Sequence, residues 1–528
     1  MKGPTPRAYR LLWDAHSLAG VVLGLALFVT FASGAFALYR GELHRWADPA
    51  LRTASTRVRS MDALVGPVLA ERPPKPGGDV LVVWPFGNRP YVYVGYEDVR
   101  GTQVSEWVAP ATGARLRAPG RSAMPDLLND LHFYHQLGTP GQLLAGAVAA
   151  FALVVLASGL LIHWRRLPAR LHAFRPAAPG AARERMTDWV RTGVADAHAV
   201  LGVLGLPFTA VFAVTGAFFS LLVVVYGAVV AGTLGGDPSR LDGLVAGIEA
   251  PAYRASGRAA PVLPLDTLVA RLPAEWPPLD LVSVHVTGWG DAAATAQFEG
   301  SVPRTVGKTG VAVLGAATGR VFAARGPART PPLTATVVSF GTLHFARFGG
   351  PVGNAALKLG AFVLALAAAA VTLTGNWLWL AARRPAGGDR APRLHRALGR
   401  LTAGVGTGFA AAVPALFLAT RLVPLGAAGR TTVEQGAFFG AWALLAAAAF
   451  AGPSARAVVR WQLALAGVLG LLVPVANGAG TGAWPWVSGA AGEWAVAGVD
   501  LGFAAGGVAL LVVTSRLRNG PGDASRGR

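Results

Sequence analysis

Asp14-Ala15-His16-Ser17-Leu18-Ala19-Gly20 opens an uncharged run that closes in Ser33-Gly34-Ala35-Phe36, and the same pattern returns at Asp196-Ala197-His198-Ala199-Val200-Leu201-Gly202, closing in Thr215-Gly216-Ala217-Phe218. At this constant offset, 9 of the 23 positions from 14 to 36 are identical to those from 196 to 218, including the histidine and both glycines. Each histidine stands at the mouth of an apolar helix with glycines at i+4 and i+18. Eighteen residues make five whole turns at 3.6 residues per turn, so His16, Gly20 and Gly34 are expected on one helix face, and His198, Gly202 and Gly216 on another. Histidine and glycine on a shared face suit a flat, bulky ligand held at one end and closely approached elsewhere. Gly is also common where membrane helices pair tightly; the repeated histidine favours the ligand.

Outward from these runs, the chain reads as an integral membrane protein. Mean hydropathy is +0.46, and charged residues make up only 14% of the 528, far from the balance of a soluble domain. Uncharged stretches long enough to span a bilayer lie at 17–39, 141–162, 199–236, 359–382, 401–420, 436–455 and 461–492, with an eighth, broken by Asp500, near 491–515. Residues 1–39 have a cleavage-like Ala35-Phe36-Ala37, but the run is long for a signal core and has an internal twin, so it reads as a retained span.

The net charge of +20 is a topology signal rather than a nucleic-acid footprint. Seven Arg fall in 164–195 and six in 383–400, and both termini are basic. If the spans alternate, all of these lie on one side, the cytoplasmic one. That predicts a bacterial inner-membrane, multi-pass protein with both termini inside and residues 40–135 and 237–350 in the periplasm. The chain has no cysteine, which excludes disulfides, thiolate haem ligands and cysteine-ligated iron–sulfur clusters.

The two outer segments read alike. In the first, 60–71 has helical spacing, and Val80–Trp84, Tyr91–Tyr96 and Val104–Val108 read as strands before Ala111-Thr112-Gly113. In the second, Leu265–Leu272 reads as a helix, then Leu281–Val286, Ala293–Phe298 and Val311–Leu314 as strands before Ala317-Thr318-Gly319. Each module leads into a matched pair, Leu131-His132-Phe133 before one span and Leu343-His344-Phe345 before another, and these spans close in Ser158-Gly159 and Thr374-Gly375. The unit is therefore span, α+β module, span. It predicts a first repeat at 10–164 (module 50–120), a basic linker at 165–195, a second repeat at 196–384 (module 250–330), a linker at 385–400, C-terminal helices at 401–515 and a basic tail at 516–528. Two copies make a four-helix core with pseudo-two-fold symmetry. The C-terminal helices take a packing or partner-docking role, with Asp500 as their one ionisable residue at depth.

Four of the ten histidines obey the repeat, His16 with His198 and His132 with His344. Symmetry sets each pair face to face, one at each side of the membrane. Neutral imidazoles on opposite sides of an iron porphyrin make a six-coordinate b-type haem without any cysteine, so two such haems would form an electron path across the bilayer. Asp14 and Asp196, at i−2 from their histidines, read as helix N-caps rather than as metal ligands. His163, at the inner end of the second span, is the rival inner ligand; His135 ranks below it, and His44, His172, His285 and His395 read as surface residues.

The residues that carry this pattern are Asp14-Ala15-His16 with Gly20, Leu131-His132-Phe133, Ser158-Gly-Leu-Leu-Ile-His163-Trp-Arg-Arg166, Asp196-Ala197-His198 with Gly202, Leu206-Pro207-Phe208, Thr215-Gly216 and Leu343-His-Phe-Ala-Arg-Phe-Gly349. Together they resemble the PepSY-associated transmembrane family over about residues 10–384, the outer modules being similar to PepSY domains. The family includes inner-membrane reductases of ferric siderophores that carry b-type haem. The resemblance implies electrons passing from an unidentified cytoplasmic or membrane donor to an iron chelate in the periplasm, by outer-sphere transfer that needs no catalytic acid, base or nucleophile. Ser17 departs from the family, which often places a basic residue after the first histidine. The alternative is a non-enzymatic PepSY membrane protein that binds a peptide or protein partner, with structural histidines. Neither reading involves nucleic acid; both involve membrane lipid.

Overall fold

The computed structural model describes residues 5–52, 58, 60–85, 89–116, 121–163, 186–233, 235, 247–248, 253–274, 276–348, 350–383 and 393–518. The chain divides into two compact units. One comprises residues 1–39, 122–221 and 360–528; the other comprises 40–121 and 222–359.

The first unit is helical. It contains α1 (Pro6–Ala37), α4 (Met124–His132), α5 (Gly138–His163), α6 (Met186–Leu204), most of α10 (Gly350–Ala382), α11 (Arg393–Leu422), α12 (Arg430–Ala451), α13 (Ala455–Thr481), α14 (Pro485–Ala490) and α15 (Trp494–Arg518). Among the described residues seven helices are long and apolar enough to cross a membrane, and an eighth span is counted if the bent pair α6 and α7 (Leu206–Thr233) is one span. The protein is a multi-pass membrane protein, and the eight crossings expected are reached only with the bent pair counted as one.

The third crossing differs from the first in shape. α1 is continuous, whereas its counterpart bends by 64° between Leu204 and Leu206. The cause is local: Pro207 has no N–H for the carbonyl of Val203 and its ring crowds the preceding turn. Gly205 still donates to Leu201 O at 2.8 Å, and the Thr209 N–H and hydroxyl both reach back to Gly205 O at 2.8 and 2.9 Å, so the helix resumes at once. The positions of α1 that correspond to Gly205 and Pro207 are Leu23 and Leu25, which leave it straight. His198 and Gly216 consequently lie on opposite sides of a bend, and the five-turn register expected to align them holds only for His16, Gly20 and Gly34.

Three further expectations are corrected. α1 begins at Pro6 behind the N-cap Thr5, whose hydroxyl accepts from Ala8 N, and α6 begins at Met186. Asp14 and Asp196 are thus helix-interior residues and not N-caps. The stretch 461–492 is not one span: α13 stops at Thr481, where Gly482 takes φ +70, and α14 follows as a separate short helix. The C-terminal helices bury Arg430 and Glu434 as well as Asp500, so Asp500 is not their one interior charge.

The second unit carries the sheet. Its elements are α2 (Arg40–Ala47), α3 (Met61–Glu71), β1 (Asp79–Val83), β2 (Val92–Glu97), β3 (Gln103–Val108), α8 (Leu265–Val269), β4 (Asp280–Thr287), β5 (Thr295–Ser301), β6 (Thr309–Gly315), β7 (Val321–Arg325) and α9 (Pro332–His344). The two modules form one antiparallel seven-stranded sheet in the order β3-β2-β1-β4-β5-β6-β7. The join is β1 against β4, with Val80 opposite Val286 and Val82 opposite Val284, all four buried. An edge strand left open exposes a row of unpaired backbone groups; here each module closes the edge of the other. Period-2 alternation sends Val92, Val94 and Tyr96 of β2 and Ala296 and Phe298 of β5 into one core under α3 and α8.

The two helices also cap each other. Asp62, at the start of α3, accepts from Leu265 N at 2.7 Å and Asp266 N at 2.9 Å. Asp266, at the start of α8, accepts from Met61 N at 2.8 Å and from the Ser60 hydroxyl at 2.6 Å. Each aspartate satisfies N–H groups that the partner helix cannot. The Ala-Thr-Gly turns match as expected: Gly113 and Gly319 both have φ +70, the left-handed region where a Cβ is strained. In each turn the threonine hydroxyl accepts, at 3.3 Å, from the N–H two residues on.

Candidate functional site

The helical unit brings His16 of α1 and His198 of α6 together. Their ring centroids are 6.4 Å apart and their planes cross at 81°. Each ring is seated on the second span of its own repeat. His16 Nδ1 donates to Val155 O of α5 at 2.9 Å and lies 3.3 Å from the Ser158 hydroxyl. His198 Nδ1 donates to Val371 O of α10 at 3.0 Å and lies 3.2 Å from the Thr374 hydroxyl. A carbonyl only accepts, so Nδ1 carries the proton in both rings and Nε2 keeps its lone pair as an acceptor. The two hydroxyls also donate to carbonyls of their own helices, Ser158 to Val154 O and Thr374 to Ala370 O.

Glycine makes the seats possible. A Cβ on Gly159 would lie 3.0 Å from His16 Cε1, and one on Gly375 would lie 3.1 Å from His198 Cε1. The Ser158-Gly159 and Thr374-Gly375 pairs, noticed in the sequence as helix-closing motifs, are therefore the histidine seats. Their recurrence one span after each histidine was the signal for that role.

The 6.4 Å spacing of the ring centres is close to that of two imidazoles sharing one metal. Metal–nitrogen bonds of about 2 Å, plus about 1.1 Å from nitrogen to ring centre on each side, sum to about 6 Å. A ligating histidine ordinarily donates its second ring N–H to a carbonyl or carboxylate, which fixes tautomer and orientation. Gly20 and Gly202 each face open space, with no atom within 4 Å of an added Cβ. His163, at the last position of α5, is half-buried and within electrostatic reach of His198.

Gly34 has a different neighbour. A Cβ there would lie 2.6 Å from His132 Nδ1 and 2.7 Å from its Cε1. His132, the last residue of α4, lies over α1 and donates Nδ1–H to Thr30 O at 2.8 Å. Burial pushes its imidazole below the ordinary value, against the Thr30 hydrogen bond, so the ring is neutral at physiological pH. Tyr134 ties the same turn down, its hydroxyl donating to Ala26 O at 2.8 Å and pairing with the Thr30 hydroxyl at 2.7 Å.

His344 belongs to the sheet-bearing unit, where it ends α9 and is 9% exposed. The backbone after the two histidines is the same. Tyr134 and Ala346, each two residues on, both sit at positive φ, +57 and +50, a conformation costly for residues with a Cβ. Arg347 lies 4.8 Å over the Phe345 ring, and burial followed by Arg89 pulls its guanidinium down to about 10, leaving it cationic at neutral pH.

The remaining histidines fall as follows. His135 and His285 are exposed. His44 is buried, its ring edge-on to Tyr91 and Trp107 at 5.4 and 5.9 Å, and His395 donates Nε2–H to Leu380 O at 2.7 Å; neither is the surface residue expected. His172 lies outside the described residues.

Comparison with known proteins gives two findings. The family model for the PepSY-associated TM region matches residues 13–383, which include all four repeat histidines and stop before α11. An uncharacterized protein of Pseudomonas aeruginosa is 27% identical over 381 residues, an alignment covering 69% of this chain and 87% of that protein.

Proposed function

The chain belongs to the PepSY-associated transmembrane family, and from that premise we propose that it carries electrons across the bacterial inner membrane through b-type haem to a ferric siderophore or similar iron chelate in the periplasm. The observation that carries this reading is the inner pair: two repeat-related imidazoles 6.4 Å apart, each with Nδ1–H committed to a backbone carbonyl and Nε2 left to ligate. Haem, when bound, supplies reversible one-electron chemistry at its iron.

The chain's own part is to hold and insulate. His16 and His198 would hold one haem, with Gly20 and Gly202 leaving room for the macrocycle. His132 and His344 would hold the second, in keeping with the repeat. Val155 and Val371 set the imidazole tautomers; burial keeps His132 neutral, as ligation requires. The orientation that goes with this places both termini in the cytoplasm, with the donor on that side or in the membrane.

Absorbance of the purified protein tests the reading. A Soret band is expected, with loss of about half its intensity in His16→Ala or His198→Ala and of the other half in His132→Ala or His344→Ala. If His163→Ala removes half while His16→Ala and His198→Ala remove none, the inner ligand is His163. Absence of any band after haem-replete expression overturns the electron-transfer reading and leaves the sheet-bearing unit as a binder of a peptide or protein partner.

A further inference from the structure

Helices α11 to α15 lie outside the family-matched residues, yet one of their side chains reaches the element that carries His132. Glu434 of α12 is fully buried, and its Oε2 accepts from Ala123 N at 2.8 Å. Ala123 is the N-cap of α4 and has no side chain able to cap. At the opening of this helix Ala123 N goes to Glu434, Met124 N goes to the Ser122 hydroxyl at 3.2 Å, and Pro125 has no N–H to offer. A carboxylate from another helix thus takes the N–H of the N-cap residue, the bond that the N3 glutamate of a capping box makes within its own helix, where the helix dipole also favours negative charge.

Glu434 is itself held. Arg430, 1% exposed, donates Nε to Glu434 Oε1 at 2.9 Å, and its two terminal nitrogens donate to Thr420 O and Val423 O. Those carbonyls are orphans for a sequence reason. Thr420 O would accept from the N–H four residues on, and that residue is Pro424. Arg430 therefore caps the C-terminal end of α11 and orients Glu434 at the same time. A buried ion pair is poor evidence of stability in its own right, because desolvation offsets most of the attraction; what this one does is join two helix ends. α4 is nine residues long, so about 13 Å separates the end held by Glu434 from the end where His132 donates to Thr30.

We propose that the Arg430–Glu434 pair is a positioning device by which the C-terminal helices hold α4, and through it His132, against α1. Glu434 is a positioning residue: it touches neither His132 nor any cofactor. The inference gives the C-terminal extension a role in the outer site of the function proposed above, and it rests on that reading only for its purpose. The geometry is testable without haem.

The test is hydrogen–deuterium exchange at the imidazole C2 position, read by mass spectrometry on the full-length protein in detergent. Glu434→Ala is expected to speed exchange at His132 several-fold while His16, on the same unit, keeps its wild-type rate. Glu434→Gln, which retains an acceptor for Ala123 N, should fall between. Unchanged exchange at His132 in Glu434→Ala overturns the proposal, and so does an equal rise at His16, which would mark general loosening. Should Glu434→Ala fail to accumulate in the membrane, Glu434→Gln and Arg430→Lys decide: wild-type exchange at His132 in both overturns it. A protein without a Soret band can still show the expected difference, so failure of the haem reading and failure of this one are separable.

Discussion

Replacing Gly159 by alanine is the most direct probe of the inner histidine seat. The added Cβ would lie 3.0 Å from His16 Cε1 and 3.3 Å from Nδ1, where carbon atoms in contact prefer about 3.5–4.0 Å. The ring must retreat by about half an ångström, and the 2.9 Å bond from Nδ1 to Val155 O then stretches toward the limit at which such bonds lose their strength. Overpacking costs about 1–3 kcal/mol and the weakened hydrogen bond about 1 kcal/mol. Against this, alanine is a better helix former than glycine by about 1 kcal/mol, so the net destabilisation expected is about 1–3 kcal/mol. Gly375→Ala should cost less, since its Cβ would be 3.1 Å from His198 Cε1 but 3.7 Å from Nδ1. Gly360→Ala, in α10 with no atom within 4 Å, should be neutral or slightly stabilising. Thermal unfolding in detergent, with C2 exchange at His16 measured alongside, reads all three. The seat is refuted if Gly159→Ala matches Gly360→Ala in stability and leaves His16 exchange at the wild-type rate.

In the sheet-bearing unit, Asp62→Ala and Asp266→Ala should each lower stability by about 1–2 kcal/mol as lost helix caps; because each also orders the other's helix, the double variant should lose less than the sum, and strict additivity in chemical denaturation would refute reciprocal capping. Asp98 is held below the usual carboxylate range by the Thr102 N–H and by Arg72, with further help from Arg100 N. Its folded-state value is depressed, so its contribution is complete above the ordinary value of 3.8 and is lost as pH falls through the folded value; Asp98→Asn should flatten the acid limb of the stability–pH curve, and an unchanged limb would count against the assignment. Reporter fusions near Gly78 and Gly319 should report the periplasm and fusions at the termini the cytoplasm; a cytoplasmic signal at either glycine would overturn the orientation. Gly20→Leu and Gly202→Leu fill open space and should expel haem without disturbing insertion; full haem content in both would refute their place beside the macrocycle.

Much of this protein was settled by residue order alone, because the relevant signals are local. Long uncharged runs dictate spans whatever surrounds them, alternation at period 2 dictates strands with one buried face, and Ala-Thr-Gly carries its own left-handed turn. The repeat made His16 the counterpart of His198, and His132 of His344, before any coordinates, and the structure brings the first of these pairs together. What residue order could not settle depends on partners hundreds of positions away, which no periodicity encodes. Nothing in Val80–Val83 says that its open edge meets Val284 and Val286 rather than solvent. Nothing in Gly34 says that it makes room for His132, which is why the shared helix face was read as one ligand surface. Nothing in the residues around Glu434 says that it meets the opening of a helix that begins three hundred residues earlier, where alanine stands at the N-cap; only the fold shows it.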